Sequence, residues 1–534
     1  MLPALWARYT SQMIVVTLLV LPRLRSVART RRPGTKILRS ALLMGATGFT
    51  GALVARHLAK HAPDSLRIAV GGRQLRRLEV VDAARRRARD LVRDWIENQA
   101  SWQEIVWRPD VLATRLFAWL GQHDFFCASA DDDYRQRYLA TIARQARHLG
   151  RVLPGGVEGD GLIRAAKGLT MAGLALPGNE AAIRQGLKTL ERACDRQILP
   201  DGGHVSRNPQ TQARVLRDLV DVRSALLAAE HDIPAFLLGA IDRAAPFLRM
   251  LRHNDGRLAL FNGSAESEDW LIDMLLAQAD ARGRAPASAP HTGFERIVVN
   301  RTVVLLDTGA PPQAGLDIGA HAGTLSVEVS IGKERMITNC GARPGNRDPW
   351  ATVQRSSAAH STMIVDDTNS SELLADGTFG RRPGYVRVDR SEDEGNVWLS
   401  ARHDGYLMAF GLEHERRIFM AGDGDDIRGE DLLSRAEVAD KTRSAKGFAL
   451  RFHLHPAVQA SLVQNGSSGL LRLPSGAGWR LIAEGGTVSL AESVYLGEIE
   501  EVRRSEQIVV SGALEAGVDA ARVKWALKRV PKKS

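Results

Sequence analysis

The sequence predicts a two-part fold, in which an array of α-helices precedes an antiparallel β-sandwich. From about residue 81 to residue 280, apolar residues recur at three- and four-residue spacing, which is the periodicity of amphipathic helices. After residue 294 the apolar residues instead occur in short β-branched runs that Gly, Asp or Asn interrupt. This change of period, together with the Pro- and Ala-rich stretch that precedes it, carries the prediction of fold class.

The helical part, residues 81–280, consists of successive amphipathic segments joined by short links that contain Gly or Pro. Several segments begin after Asp, Asn, Pro or Thr, as helices commonly do. Many antiparallel helices with short links indicate a bundle, a solenoid or an α/α toroid. The segments are VDAARRRARDLVRDWIENQ, DVLATRLFAWLGQ, DDDYRQRYLATIARQARHLG, NEAAIRQGLKTLERACDRQIL, TQARVLRDLVDVRSALLAAE and PAFLLGAIDRAAPFLRMLR.

The β part follows a linker at residues 281–294 (ARGRAPASAPHTGF) and occupies residues 295–534. Its strand candidates are short and are bounded by turn residues, which is typical of an antiparallel sandwich. Representative runs are RIVVNRTVVLLDTG, TLSVEVSIG, NVWLSARHDGY, HERRIFMAG and GFALRFHLH.

The amino-terminal 80 residues differ from the rest of the chain. Residues 1–36 form a basic leader, and residues 37–80 follow a strand, glycine turn, helix, strand order, which indicates a small βαβ-like fragment. The turn is GATGFTG, with glycines that would let a pyrophosphate approach the helix start. Arg73, after the second apolar run, would suit a 2′-phosphate. The candidate nucleotide-binding residues are Gly45, Gly48, Gly51 and Arg73.

This fragment resembles the nucleotide-binding start of saccharopine-dehydrogenase-like reductases. A working dinucleotide domain needs two βαβαβ halves, whereas only about 45 residues precede the long helices here. Two interpretations remain: an NADP-binding reductase fused to the chain, or a fusion remnant or incorrectly assigned start of the reading frame. The second is favoured, so NADP is not expected as a cofactor.

The net charge of +11 and the pI of about 9.8 favour an acidic partner, although a general Arg-rich bias explains them equally well. No zinc finger, ribonucleoprotein motif or basic zipper indicates nucleic-acid binding. The apolar run at residues 13–22 is too short for an integral membrane span. Because it is also a poor export signal, the cell envelope and the cytoplasm both stay open as locations, and no pattern specifies an oligomeric state.

Two polar loops in the helical part are candidates for one cleft. The loop LPDGGHVSRNP places His204, Arg207 and Asn208 between two helices, and RHNDG places His253 after another helix. In the β part, His321 lies in AHAGTLSVEVS, Asn339 ends the next strand, and His360 lies in RSSAAHSTMIVDD. Histidines at strand starts can converge on a metal ion or on the rim of an active site.

These motifs, together with LRHNDGRLALFNG and ARHDGYLMAFGLEHERR, are similar to those of the heparinase II/III-like polysaccharide lyases over roughly residues 85–515. The resemblance implies an α/α toroid followed by a β-sandwich. It also implies β-elimination on uronate-containing polysaccharides, in which a neutralised carboxylate acidifies the C5 proton and a base removes it.

The resemblance also implies roles for individual residues. His204 or His253 would be the base, Arg207 and Asn208 would neutralise the carboxylate, and His360 would complete the catalytic set. The sequence departs from the family where a catalytic Tyr is expected, because Leu260 and Phe261 occupy that region. It departs again at Gly319, where many relatives have the first histidine of a His-x-His-x-Asp motif.

Some relatives hold a zinc ion at the positions of His321, Asn339 and His360. No cofactor is required for the expected reaction, and Asn is a poor substitute for an anionic zinc ligand. The sequence thus predicts a lyase acting on an acidic polysaccharide. The alternative is a non-catalytic protein that binds acidic glycan on the same scaffold.

Overall fold

The computed structural model describes residues 39–42, 66–69, 75–343, 350–437, 444–464, 466–498, 501–514 and 520–531. Strands β1 (Arg39–Leu42) and β2 (Leu66–Ala69) pair in parallel. The predicted glycine turn with Gly45, Gly48 and Gly51, and Arg73 as well, lie outside the described residues. Nucleotide binding at this segment therefore stays a prediction.

A helical region follows and ends at residue 279. Within the described residues, no helix is both long and apolar enough to cross a membrane. The helices are α1 (Leu75–Asn98), α2 (Pro109–Gly121), α3 (His123–Cys127), α4 (Asp132–Val152), α5 (Asp160–Ala175), α6 (Glu180–Gln197), α7 (Pro209–Ala228), α8 (Ala235–Met250) and α9 (Asp269–Ala279).

The chain divides into two compact units. Of the described residues, those up to 193 and residues 218–238 form the helical unit, and residues 194–217 and those from 239 onward form the sheet unit. The sheet unit thus includes the loop between α6 and α7 and the stretch after α8, which lie inside the predicted helical part. This loop groups with the strands because Arg207 bonds to residues of the second sheet and its turns.

The helical unit is held by an apolar core to which α2, α4 and α5 contribute. Leu112, Leu116 and Tyr138 are almost completely buried in it. Helices α2 and α5 approach closely at Gly168, where an added Cβ would lie 2.5 Å from the Cβ of Ala113. Asp131 caps the start of α4 by accepting a 2.7 Å hydrogen bond from the backbone N–H of Tyr134.

The sheet unit contains two antiparallel sheets, which confirms the predicted fold class of helices followed by an antiparallel sandwich. The first sheet has the order β14-β15-β16-β19-β12-β11-β10-β9, and the second has the order β17-β18-β13-β7-β6-β5-β4-β3, with β8 paired to β13. One apolar core joins inward side chains of both sheets, such as Leu399 and Ile418 from the first and Val329 and Phe452 from the second.

The strands are short enough to match the punctuated runs of the sequence, and the first of them, β3, lies within the stretch predicted as a linker. Their bounds are β3 (Ser288–Ala289), β4 (Phe294–Val299), β5 (Thr302–Asp307), β6 (Val327–Ile331), β7 (Glu334–Thr338), β8 (Met363–Val365), β9 (Val386–Asp393), β10 (Asn396–Tyr406), β11 (Leu412–Met420), β12 (Asp426–Arg435), β13 (Gly447–Leu454), β14 (Gln459–Val463), β15 (Ser468–Arg472), β16 (Gly478–Glu484), β17 (Thr487–Tyr495), β18 (Arg503–Ala513) and β19 (Ala520–Arg529); a one-turn helix, α10 (Leu407–Phe410), follows β10.

Candidate active site

The His204 ring is buried and engaged at both of its nitrogens. The backbone N–H of Ser206 donates to Nδ1 of His204 at 3.1 Å, so Nδ1 is the unprotonated nitrogen. The Nε2–H then donates to Oε1 of Gln197 at 2.9 Å. With 2% of the residue exposed, this histidine is placed to hold the shape of its own loop.

Arg207 fastens the same loop to the second sheet. Its guanidinium donates to the backbone carbonyls of Thr292, Gly293 and Ala310 and forms a buried ion pair with Asp307. Its cation lies 5.0 Å from the centre of the Phe294 ring. Because these contacts use Nε and both terminal nitrogens, the guanidinium is occupied inside the protein.

Asn208 caps helix α7, which begins at Pro209. Its Oδ1 accepts a 2.9 Å hydrogen bond from the N–H of Thr211, and its Nδ2 donates to the carbonyl of Asn262 at 2.7 Å. The amide has a second hydrogen on Nδ2, for which the described residues provide no acceptor. Asn208 therefore has one donor available for a ligand.

His253 lies in the interior, where it holds the buried carboxylate of Glu328. Its Nε2–H donates to Oε2 of Glu328 at 2.8 Å, and its Nδ1 lies 2.8 Å from the hydroxyl of Ser330. Burial and the nearby Arg335 lower the pKa of His253. The other oxygen of Glu328 accepts from the N–H of Leu260 and from Asn339.

His321 and His360 form a hydrogen-bonded pair whose proton positions the geometry determines. Nδ1 of His360 lies 2.7 Å from the carbonyl of Ser356, which can only accept, so this nitrogen carries the proton. Nε2 of His360 is therefore an acceptor, and Nδ1 of His321 donates to it across 3.0 Å. The remaining nitrogen, Nε2 of His321, is left with a lone pair.

Burial keeps this pair neutral. It lowers the pKa of His360 to about 4, against the hydrogen bond to Ser356, which raises it. The pKa of His321 is lowered well below its ordinary value, first by burial and then by His360 and Arg355. A neutral ring is the form in which Nε2 of His321 can accept a proton or a hydrogen bond.

Gly263 brings this lone pair together with the free amide hydrogen of Asn208. A Cβ placed on Gly263 would lie 3.3 Å from Nδ2 of Asn208, 3.5 Å from Nε2 of His321 and 2.5 Å from the carbonyl of Gly319. Gly263 has a φ of 83°, a conformation that favours glycine. Gly319 itself is exposed, and a Cβ added to it would meet no atom within 4 Å.

Asn262 organises the backbone around this point. Its side-chain amide donates to Oδ2 of Asp307 at 3.1 Å and to the carbonyl of Arg207, while its Oδ1 accepts from the N–H of His321 at 3.4 Å. Asn262 stands in the quoted motif LALFNG but was given no role from the sequence. Its Asn-Gly pair, a turn signal, is the feature that could have indicated it.

The structure places Leu260 and Phe261 in the apolar interior, with 1% and 0% of each residue exposed. Phe261 lies 5.4 Å from the Phe294 ring, centre to centre. Neither residue can transfer a proton, as the sequence indicated. Two tyrosines elsewhere in the described residues also have buried hydroxyls that are bonded inside the protein. The hydroxyl of Tyr406 donates to the carbonyl of Met363, and the hydroxyl of Tyr495 donates to Glu266.

The residues predicted for zinc do not fit a zinc ion. Oδ1 of Asn339 accepts from the N–H of Ser361 at 2.9 Å, and its Nδ2 faces Glu328. His321 and His360 use the two nitrogens that face each other for their mutual hydrogen bond. In the part of the chain that the structure describes, no three His, Cys, Asp or Glu side chains are grouped to hold a metal.

His403 and Asp404 make local contacts. Nε2 of His403 lies 3.3 Å from Nδ1 of His414, whose Nε2 donates to the buried carboxylate of Asp431 at 2.7 Å. Asp404 accepts from the N–H of Gly384 at 2.7 Å. These side chains stabilise the sandwich and its β9–β10 end.

Comparison with known families gives two matches that together cover most of the chain. The model described as "Heparinase II/III N-terminus" matches residues 86–278, and the one described as "Heparinase II/III-like, C-terminal" matches residues 281–526. Among curated proteins, "FtsZ-localized protein C" of Caulobacter vibrioides is 33% identical over 462 residues, which are 84% of this chain and 78% of that protein.

Solved structures share the fold at low identity. A crystal structure of heparinase III superposes with a TM-score of 0.68 at 15% identity, covering 83% of this chain and 73% of that one. A mutant of the heparan sulfate lyase HepC from Pedobacter heparinus gives 0.62 at 14% identity, covering 84% and 73%. These structures show the shared fold, and the two family models show that the chain belongs to the heparinase II/III-like family, whose members its loop motifs resemble.

Proposed function

We propose that this protein cleaves a uronate-containing glycan by β-elimination, with His321 as the proton acceptor and Asn208 as the donor to the substrate carboxylate. The observation that carries the proposal is the fixed lone pair on Nε2 of His321 beside the free amide hydrogen of Asn208. Family membership supports the class of reaction. The roles given to His204, His253 and Arg207 from the sequence pass to this pair, because internal partners occupy those three side chains.

The chemistry divides between the two residues. A hydrogen bond from Nδ2 of Asn208 to the substrate carboxylate would stabilise the negative charge that develops there when the C5 proton leaves. Nε2 of His321 would take this proton, the C4–C5 double bond would form, and the bond from C4 to the glycosidic oxygen would break. His321 would then return the proton to the departing oxygen.

The burial of His321 suits the second half of this cycle. Because burial lowers its pKa, the protonated ring is a stronger acid than an ordinary imidazolium, and it gives its proton readily to the leaving group. The carbonyl of Gly319 and Nε2 of His321 both border Gly263, and the exposed, unobstructed position of Gly319 offers an approach for a substrate. One residue could thereby serve as base and acid in turn.

The test is an assay for unsaturated uronate, followed by the ultraviolet absorbance of the new enoate, over a panel of acidic polysaccharides. The wild type should produce the enoate from at least one substrate. Asn208→Ala should lower the rate by about 100-fold, whereas Gln210→Ala, on the first turn of the same helix, should leave it near the wild-type value. No enoate from any substrate of the panel would remove the proposal.

A second candidate is a protein that binds acidic glycan without cleaving it. Two observations favour it: buried internal contacts occupy His204, His253 and Arg207, and Leu260 and Phe261 stand where a Tyr was expected. The curated relative, moreover, is named for localization to FtsZ rather than for a cleavage reaction. Saturable binding of a uronate oligosaccharide, without enoate formation, would establish this candidate in place of the first.

A further inference from the structure

The outer face of the first sheet carries an open groove that the elimination site does not include. The groove has a volume of about 650 Å³ and is lined by side chains of five adjacent strands, β10, β11, β12, β19 and β16, and by the edge strand β9. Its apolar row runs across the strands, because each member is the register partner of the next. The row is Trp398, Phe419, Arg428, Ala526 and Ile482, and Arg428 is its one charged member.

Two aromatic rings form one end of this row. Trp398 is 40% exposed, and its ring centre lies 5.2 Å from that of Phe419. The guanidinium of Arg428 lies 5.8 Å from the centre of the Phe419 ring on the next strand. At the other end Ile482 is also 40% exposed. Large apolar side chains in one line on a solvated sheet face indicate a binding surface rather than scattered exposure.

A second row beside the first carries charges of alternating sign. Arg417, Glu430, Lys524 and Glu484 are successive register partners across four strands. Arg417 pairs with Glu430 at 3.0 Å, and on the apolar row Arg428 pairs with Asp426 at 2.7 Å. Since neighbouring charges of opposite sign largely cancel, this face attracts neither a polyanion nor a polycation strongly. It does offer many hydrogen-bond donors and acceptors.

The length of the apolar row and the pairing of the strands beneath it indicate which kind of polymer fits the groove. Four spacings of about 4.8 Å between neighbouring strands give the apolar row a length of about 19 Å, which suits an extended oligomer. Strands β10, β11, β12, β19 and β16 are each hydrogen-bonded on both sides. Along these five strands a polypeptide therefore finds no free backbone edge on which to add a strand, and the free edge of β9 lies only at the margin of the groove.

We propose that this face binds an uncharged oligosaccharide chain, laid across the strands with sugar rings stacked on Trp398 and hydroxyl groups bonded to the charged row. Aromatic rings supply flat apolar area for the C–H faces of sugars, and the balanced charges suit a hydroxyl-rich neutral ligand. The surface is separate from the Asn208–His321 site and does not depend on the function proposed for it.

In the experiment, the protein is titrated with pentamers of N-acetylglucosamine and of glucose, and binding is measured by calorimetry and by tryptophan fluorescence. At least one pentamer should bind saturably, and Trp398→Ala should weaken it about tenfold or more. Trp270→Ala is the matched control, because Trp270 is 42% exposed on helix α9, outside the groove. It should bind as the wild type does, and so should His321→Gln.

Three results would overturn the proposal. The first is that neither pentamer binds saturably, and the second is that Trp398→Ala and Trp270→Ala lose the same affinity for the pentamer. The third is concentration-dependent self-association in sedimentation that Trp398→Ala abolishes. The last result would assign the face to a second copy of the chain. Because Trp398 is a surface residue, circular dichroism of Trp398→Ala should match the wild type, so a loss of binding reports on the groove.

Discussion

Removal of the His360 imidazole should make the protein less sensitive to acid. In the folded state burial lowers the pKa of His360 to about 4, whereas in an unfolded chain the ring has its ordinary value of 6.5. Below pH 6.5 the unfolded chain therefore binds a proton that the folded protein cannot bind. The neutral ring therefore makes its full contribution to the free energy of unfolding above pH 6.5, and this contribution is lost as the pH falls toward 4.

The size of the effect follows from this difference. Each pKa unit corresponds to about 1.4 kcal/mol, so His360 alone accounts for a loss of about 3 kcal/mol between pH 6.5 and pH 4, of which about 2 kcal/mol is lost by pH 5. His360→Gln does not titrate, and its amide oxygen can accept from Nδ1 of His321. Between pH 7 and pH 5, the free energy of unfolding of His360→Gln should therefore fall by about 2 kcal/mol less than that of the wild type.

Urea unfolding at pH 7 and pH 5, followed by near-ultraviolet circular dichroism, measures this difference. The comparison uses each protein's own change with pH, so a general loss of stability in His360→Gln cancels. His291→Gln, which removes an exposed histidine, is the control and should lose as much stability as the wild type. If wild type and His360→Gln lose the same free energy, His360 is not held neutral by the pair, and the assignment of protons in it is incorrect.

Three further substitutions test the surroundings of the site. Arg207→Met leaves the carboxylate of Asp307 buried without its ion pair. Urea unfolding should show that the free energy of unfolding falls by about 3–5 kcal/mol. A fall of less than about 1 kcal/mol would contradict the role of Arg207 in anchoring the loop. Gly263→Ala places a methyl group between Asn208 and His321 at a φ of 83° and 2.5 Å from the carbonyl of Gly319. It should therefore cost about 2 kcal/mol or more and abolish uronate binding in calorimetry; unchanged affinity would place the ligand elsewhere. Gly319→His projects into open space and should change the unfolding free energy by less than about 0.5 kcal/mol; a larger loss would show that this position is enclosed.

The helices that the sequence identified are those with one apolar face. The predicted segment DDDYRQRYLATIARQARHLG corresponds to α4, and NEAAIRQGLKTLERACDRQIL corresponds to α6. Three others were not predicted: the short α3 (HDFFC), α5 (DGLIRAAKGLTMAGLA) and α9 (DWLIDMLLAQA). Most residues of α5 are buried. A helix that is apolar on nearly all sides has no polar face to create a period, so periodicity cannot reveal it.

The polar loops could be located from the sequence, but the use of their side chains could not. The partners of His253, Glu328 and Ser330, lie 75 and 77 residues along the chain, and Asp307 lies 100 residues from Arg207. Hydrogen bonds over such separations depend on strand register, which no local motif encodes. For the same reason the sequence leaves His321 open between a metal site and the rim of a cleft, because only the position of Ser356 beside His360 reveals which nitrogens carry protons.

The most direct test of His321 as the base compares enoate release by the wild type, His321→Gln and His204→Gln on the best substrate of the panel. Loss of the proton acceptor should lower the rate by about 100-fold or more in His321→Gln, while His204→Gln, corrected for its folded fraction, should keep a rate within about threefold of the wild type. Equal activity of His321→Gln and the wild type, or a selective loss in His204→Gln, would contradict the assignment of His321 as the base.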